Sequence, residues 1–540
     1  VAEPTWTFCI DLNGDGDYTD DGEDISAYVK RGRWQLGFAE PFEPIDRAAT
    51  LELVLRNGDK RFSPEYETGA LFPDFTRGKV IRIQSTYSGT TRTHFIGWID
   101  SIEPTPNTKA ERECVIRSNG FMILAQDSEV YVPVQEDKTA DEVIELLLTN
   151  SGMLPPGFTG RWMIGSVGFS ELEDNTILGD VSDFLSAETG KSTFSIIGDQ
   201  WGAGKVRNWG NASGRGVTTP GGTSVYGALR DVAGREAGRV FVNRAGVLVF
   251  WNRHHLILDT TLDATFDNSM QAMSYSYGDD IINSVVVQAH SRTIGGNNET
   301  LGVVDQAVLI KAGSSTTITF HYVDQATGRE LAGKNAVAPA QTTDFTANSA
   351  ADGSGVAYTT SVSSAIVQES GSSCQVTFTN AAAVDVYLQS GAQIRGIKIT
   401  DYGQVDVKRE DATSVASYRR HRMTYGFAMD DVAVAEGAAA FFLDMRKDPR
   451  GLVKSITIQA YKDATALTQA LARTIGDRVR IVEDQTAVDA HYFIIGEIFD
   501  LQPADLRVTW LLEPASSSAY WVLGTAGFSE LGDTTIVGPY

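Results

Sequence analysis

Cysteine is almost absent from this 540-residue chain: Cys9, Cys114 and Cys374 are an odd number, widely scattered, with no CxxC pair. That excludes a disulfide framework and a cysteine-based zinc site, and it predicts reduced, buried thiols in a protein made in a cytoplasm. Long apolar runs are also missing. No stretch approaches the roughly 18–20 apolar residues that a membrane-spanning helix needs, and Val1-Ala2-Glu3-Pro4 lacks the basic-then-apolar layout of a signal peptide, so no membrane partner is expected. Positive charge is in short supply. With 45 Lys and Arg against 69 Asp and Glu, the formal net charge is −24, which argues against a protein that grips nucleic acid through its phosphates. It does not prevent DNA from passing, since an acidic wall repels DNA and keeps it from sticking.

Catalytic signatures are missing as well. There is no HExxH and no GxSxG, and Ser186-Ala187-Glu188-Thr189-Gly190-Lys191-Ser192 fails as a phosphate loop because Leu185 stands where the first glycine is required. The seven histidines are dispersed, and His254-His255, after Trp251, reads as a packing or surface pair. The chain is expected not to be an enzyme. Two carboxylates in a cleft need no local motif, so a cell-wall hydrolase stays as the third reading.

What is present suits folding throughout. Hydrophobic residues make up 42% and charged residues 21%, a globular balance. The 52 glycines and many short Val- and Thr-rich runs broken by Gly, Asn and Asp favour strands joined by turns, so the expected class is mainly β (α+β). At roughly 100–200 residues per core, the length implies three to five domains.

An internal repeat organises these strands. Gly78-Lys79-Val80-Ile81-Arg82-Ile83 is followed fourteen positions later by Gly97-Trp98-Ile99-Asp100-Ser101-Ile102-Glu103-Pro104. Gly476-Asp477-Arg478-Val479-Arg480-Ile481 is followed fifteen positions later by Gly496-Glu497-Ile498-Phe499-Asp500-Leu501-Gln502-Pro503. The apolar phase agrees in both, so one two-strand β-motif is used twice. Thr50–Leu55 and Asn283–Gln288 are taken as the matching preceding strands. A second repeat relates Trp162–Gly179 to Trp521–Gly538, Gly-Phe-Ser-Glu-Leu included, and reads as a pair of turn-rich edge segments of common origin.

Between the copies, Thr139-Ala140-Asp141-Glu142 is a capping box that predicts a helix over 140–150, and a second helix is predicted over 224–237, followed by a hairpin from Arg239 to Phe250. From 303 to 395 the composition shifts to Ser, Thr, Ala and Gly with regular short strands, which predicts an inserted immunoglobulin-like β-sandwich. The most pointed local chemistry is Asp11-Leu12-Asn13-Gly14-Asp15-Gly16-Asp17. Oxygen side chains at Asp11, Asn13, Asp15 and Asp17, with Asp20, Asp21 or Glu23 to close the set, suit a hard cation such as calcium. Gly22 stands where an EF-hand needs its bidentate glutamate and no helix precedes the loop, so the site would be a hairpin loop. An acidic solvated turn with no ion is the other reading, and both stay open here.

Taken together, the acidic opening hairpin before Ile25–Val29, Ala48–Leu53, Asn57-Gly58-Asp59-Lys60-Arg61-Phe62-Ser63-Pro64, Phe95–Ile99, Thr139–Ile144, Gly246–Phe250 and Asp279–Val287 resemble the central tail hub proteins of tailed bacteriophages, also called baseplate hub or minor tail proteins. The resemblance implies a homotrimer in which two tube-like β-domains per chain form a ring under the hexameric tail tube. Residues 1–125 would be the first ring domain, 126–267 a small α+β middle domain, and 268–297 with 402–515 the second ring domain. Residues 298–401 would be the inserted sandwich, and 516–540 an edge segment repeating 162–179. The implied partners are a tail tube or distal tail protein, a tape measure protein and tail fibre or tip proteins, at the virion tail tip, with DNA passing through unbound. Some members carry a wall-degrading domain after the hub, and none is expected here because the chain ends just past the second copy. A carbohydrate-binding adhesin, with the sandwich contacting host glycan, is the alternative reading.

Overall fold

The computed structural model describes residues 3–106, 111–130, 143–144, 146–148, 223–236, 238–251, 255–256, 261–268, 270–429 and 432–515. The capping box at Thr139–Glu142 and both copies of the Gly-Phe-Ser-Glu-Leu segment lie outside the described residues. Among the described residues six sheets, the largest of twelve strands, and a few helices make the fold mainly β.

The largest sheet begins with β1 (Thr5–Asp11), β2 (Val29–Gly37), β3 (Thr50–Arg56), β4 (Val80–Tyr87), β5 (Thr90–Pro104) and β6 (Glu113–Asn119). Their spatial order is β1-β4-β5-β6-β3-β2, antiparallel throughout. Period-two patterning sets which side chains face the core: along β4, Ile81 and Ile83 are buried, and Arg82 points out to lie 3.8 Å over the Tyr18 ring.

The middle of the chain supplies α1 (Val225–Glu236) and a hairpin of β7 (Arg239–Val242) and β8 (Leu248–Trp251). Val225, Ala228, Leu229, Val232 and Ala233 recur at helical spacing and are all buried, against Val143, Ile144 and Leu147 among others. Asn243 and Gly246 make the hairpin turn, with Gly246 at φ 77°. The predicted helix and hairpin thus match in place and kind.

The sheet then resumes with β9 (Ala264–Phe266) and β10 (Ala272–Tyr277). A separate five-stranded sheet intervenes, holding β11 (Ser284–Ile294), β12 (Gln393–Glu410) and β13 (Arg422–Met429), and α2 (Val432–Arg446) buries Ala435, Ala438 and Ala439 against its Val285, Val287 and Val407. Between β11 and β12 lie two three-stranded antiparallel sheets over one core, in which Phe345 meets Phe378 edge-on at 5.2 Å. The chain returns to the large sheet as β14 (Gly451–Gln459), α3 (Ala464–Ala472), β15 (Arg478–Glu483), β16 (Val488–Gln502) and β17 (Asp505–Pro514). Asp463 caps α3 by accepting from the Ala466 N–H at 2.7 Å.

Candidate functional site

The second set of strands is ordered β9-β15-β16-β17-β14-β10, position for position the order of the first set. One member differs in sense: β9 runs parallel to β15, whereas β1 is antiparallel to β4. Hydrogen bonds fix the equivalence to the residue. The Gly78 N–H donates to the Ile99 carbonyl at 2.8 Å and the Ile99 N–H to Lys79 at 2.9 Å; Gly476 donates to Ile494 at 2.8 Å and Ile494 to Asp477 at 3.0 Å. Both glycines have positive φ, 87° and 95°. Arg82 is therefore equivalent to Arg480.

Two expectations about the repeat are corrected. Gly97 is equivalent to Tyr492 and not to Gly496, because Ile99 matches Ile494 and the bulge after each, between Ile99 and Ser101 and between Ile494 and Gly496, falls at the same place. The slip is four residues, an even number, so the apolar alternation looks unchanged by it. The counterpart of Thr50–Leu55 is β14, which pairs β17 as β3 pairs β6; Ser284–Ile294 belongs to the five-stranded sheet. A run of three valines satisfies either sheet, since both bury that face.

The two units are joined within the chain. β16 pairs β15 with its first half, and with its second half, on the same edge, it pairs β2: Gly496 opposite Gly37, Glu497 opposite Leu36, Phe499 opposite Trp34, on to Leu501 opposite Gly32. A Cβ on Gly496 would sit 2.5 Å from the Phe38 carbonyl oxygen, so the close approach of these strands demands glycine. Trp34, 1% exposed, stacks on Phe499 at 5.1 Å and 8° across the joint.

The β7–β8 hairpin clamps that joint with two buried ion pairs. Arg244 reaches Glu497 at 2.6 Å and also donates to the carbonyls of Leu471 and Arg473, while the other Glu497 oxygen accepts the Ile475 N–H at 3.0 Å. Arg239 pairs with Glu513 at 2.5 Å, and Glu513 accepts the Phe42 N–H at 2.6 Å. Nothing in the spacing of these four residues marks them as partners. The available signal was two acids, at 497 and 513, each beside mostly apolar neighbours in its strand, Ile494-Ile495 and Leu511-Leu512.

Asp46 lies under the same hairpin. Fully buried, it accepts one bond from the Val242 N–H at 3.1 Å, and its other oxygen has no partner among the described residues. Burial, with Glu43 nearby, holds its carboxyl well above the usual range. A folded-state value raised in this way adds stability below the unfolded carboxylate range, and that stability is lost as pH rises through the folded value. Asp46→Asn is expected to be more stable than the native protein at pH 8, by about 1–3 kcal/mol, with a smaller gap at pH 5. Thermal scans across that range give the check, and a gap that does not change with pH would refute it.

At the acidic loop the structure divides the predicted ligand set. Asp11, 4% exposed, accepts the Gly14 N–H at 2.6 Å and the Gly16 N–H at 3.0 Å; Glu23, 1% exposed, accepts from Leu12 at 2.9 Å and Asp20 at 3.2 Å. These two carboxylates shape the loop. Asp15, Asp17 and Asp20 are exposed and bring one oxygen each within 4.8 Å of the others. Asn13 donates to Asp15 and Asp20 at 3.0 and 2.6 Å, and Asp21 stands exposed beside them. The loop closes between β1 and Glu23 through the Ile10 N–H to Glu23 carbonyl bond, a hairpin loop followed by one 3-10 turn at Ser26–Tyr28. His255 stacks on Trp251 at 4.3 Å.

Among the solved structures similar to this chain are tail proteins. One is the tail protein from Neisseria meningitidis MC58, at 11% identity and TM-score 0.45, covering 95% of this chain and 97% of that one. Another is the 43 kDa tail protein of prophage MuSo2 from Shewanella oneidensis, at 10% identity and TM-score 0.43, covering 95% and 98%. A third is the prophage tail protein gp18 from Listeria monocytogenes, at 8% identity and TM-score 0.39, covering 95% of each chain. No family model matches the sequence, and no curated protein matches it.

Proposed function

We propose that this chain is a structural protein of a bacteriophage tail, a trimeric hub at the tail tip that adapts a sixfold tube to a threefold, host-facing assembly. The observation that carries the reading is the pair of six-strand units with one strand order, joined edge to edge in a single chain. Three such chains present six similar units around an axis, which lets a closed trimer meet a hexameric neighbour. The tube or distal tail protein and the tape measure protein would sit on one side, and fibre or tip proteins on the other. The net charge of −24 suits an opening through which DNA moves without adhering. The expected result is a threefold ring with a central opening in electron micrographs of the purified chain, at three times the chain mass by native mass spectrometry. A monomer at every concentration would defeat the proposal.

Calcium in the first hairpin is a separable part of this reading, with Asp15, Asp17 and Asp20 supplying hard oxygens. Calcium is expected to raise the melting temperature of the native chain and not of an Asp15→Asn, Asp17→Asn, Asp20→Asn variant. Asp11→Ala, which strands two backbone N–H groups, should cost about 2 kcal/mol with calcium or with a chelator alike. An equal calcium response in native chain and triple variant removes the ion from the account.

A further inference from the structure

The joint inside the chain uses two surfaces, and each chain carries a second, unmatched example of both. The first is the outer edge of a unit's last strand: β2 spends this edge on β16, whereas its counterpart β10 pairs only β14 among the described residues. The second is the later half of a unit's long strand. β16 spends it on β2, whereas the equivalent stretch of β5, Ser101–Pro104, pairs β6 on one side and no described strand on the other. β10 is fitted for pairing. Gly278 follows it at φ 76°, as Gly37 ends β2 at φ 87°; a bulge on β14 lies between the partners of Ser274 and Tyr275, and counting along β10 from Ser274, which matches Arg33, Tyr275 falls where β2 has Trp34. Tyr277, which corresponds to Leu36, is 67% exposed, more than any other large hydrophobic side chain described.

We propose that the β10 edge of one copy pairs antiparallel with Ser101–Pro104 of the β5 of a second copy, repeating between chains the β2–β16 joint within each chain. The inference rests on the ring reading and names the contact that closes the ring. Carrying the internal register across places Gly278 opposite Ser101, Tyr277 opposite Ile102, Ser276 opposite Glu103 and Tyr275 opposite Pro104. The backbone polarity agrees. Thr105 donates its N–H to Glu113 on the β6 side, so by alternation the N–H and C=O of Ile102 face the open edge, where Tyr277 would meet them. Pro104 can accept there and cannot donate, so the contact between chains has one hydrogen bond fewer than the internal joint, where Phe499 occupies that place. Such a contact is head-to-tail: one surface of each copy engages the other surface of the next, and it yields a closed ring when the rotation completes. An interface of this kind needs no partner other than the chain itself.

Ser276 and Glu103 form a non-hydrogen-bonded pair of this register, with Cα atoms about 4.5 Å apart, within disulfide reach. The native cysteines are buried and unbridged, so they leave the test clean. Mild oxidation of the Ser276→Cys, Glu103→Cys double variant should give covalent dimers and trimers on non-reducing gels. Peptide mass spectrometry should link position 103 to 276, and either single variant should give no such link. A native trimer without the 103–276 link overturns this joint and leaves the ring reading standing. A monomer at every concentration overturns both, and a link confined to single chains overturns the joint between copies.

Discussion

Replacing Trp34 by alanine is expected to cost about 3–5 kcal/mol, the range for deleting a large buried aromatic side chain. Its ring is 1% exposed and stacks on Phe499 at 5.1 Å, meets Trp6 edge-on at 5.7 Å and lies 6.4 Å from His94. These neighbours belong to both units, with Phe499 on β16 and Trp6 on β1, so the hole left by alanine would open at the joint and not in one unit alone. The indole N–H is buried without an acceptor. Trp34→Phe therefore strands no partner and removes an unsatisfied donor, and it should keep most of the stability, costing under about 1.5 kcal/mol. Urea unfolding followed by circular dichroism separates the two. A loss below 1 kcal/mol for Trp34→Ala would mean that the stack does not hold the units together.

How much of this was legible beforehand depends on which interaction fixed each feature. Local rules reached the middle helix, because Val225 to Ala233 recur at helical spacing, and the β7–β8 hairpin, because Asn243 and Gly246 mark a turn between apolar runs. The repeat was visible at β4 and β15, where Arg-Ile alternation and a positive-φ glycine occur at the same distance from each other. It was misplaced on β5 and β16. There the glycines at 97 and 496 serve different close approaches, one to Asn119 and one to Phe38, and alternation of period two cannot distinguish a slip of four. β14 was missed as the mate of β3 because three valines near 285 fit a strand as well as Leu452, Val453 and Ile456 do. Only pairing across the fold decides between them.

The acidic loop shows the same limit in its chemistry. Seven oxygen-bearing side chains read alike in the sequence, yet burial sorts them: Asp11 and Glu23 are enclosed and hold backbone N–H groups, and Asp15, Asp17 and Asp20 face solvent. Hairpin closure between β1 and Glu23 decides which carboxylates are enclosed, and that closure is set by hydrogen bonds at Ile10 and Ile25. The Asp46 carboxyl was invisible for a related reason, since the strand that covers it arrives from nearly two hundred residues later.

Glu497→Ala should be as damaging as any single change in the clamp, at about 3–5 kcal/mol, because it strips a buried cation of its counter-charge. Arg244 would keep its bonds to the carbonyls of Leu471 and Arg473, but carbonyl dipoles do not neutralise a guanidinium, and the Ile475 N–H would lose its acceptor. The pair itself contributes less than this loss suggests. Both charges give up water to sit at the joint, Glu497 completely, so removing them together with side chains of similar volume should restore most of the stability. The double variant Arg244→Met, Glu497→Leu is accordingly expected to melt well above Glu497→Ala and above Arg244→Met alone. The three unfolding midpoints form the test. A double variant as unstable as the worse single one would show that the ion pair stabilises the joint outright. Recovery would show that these charges mainly set which surfaces meet: they anchor the hairpin over the β2–β16 joint, and the open β5 edge has no equivalent, because Ile102 and not an acid occupies the position matching Glu497.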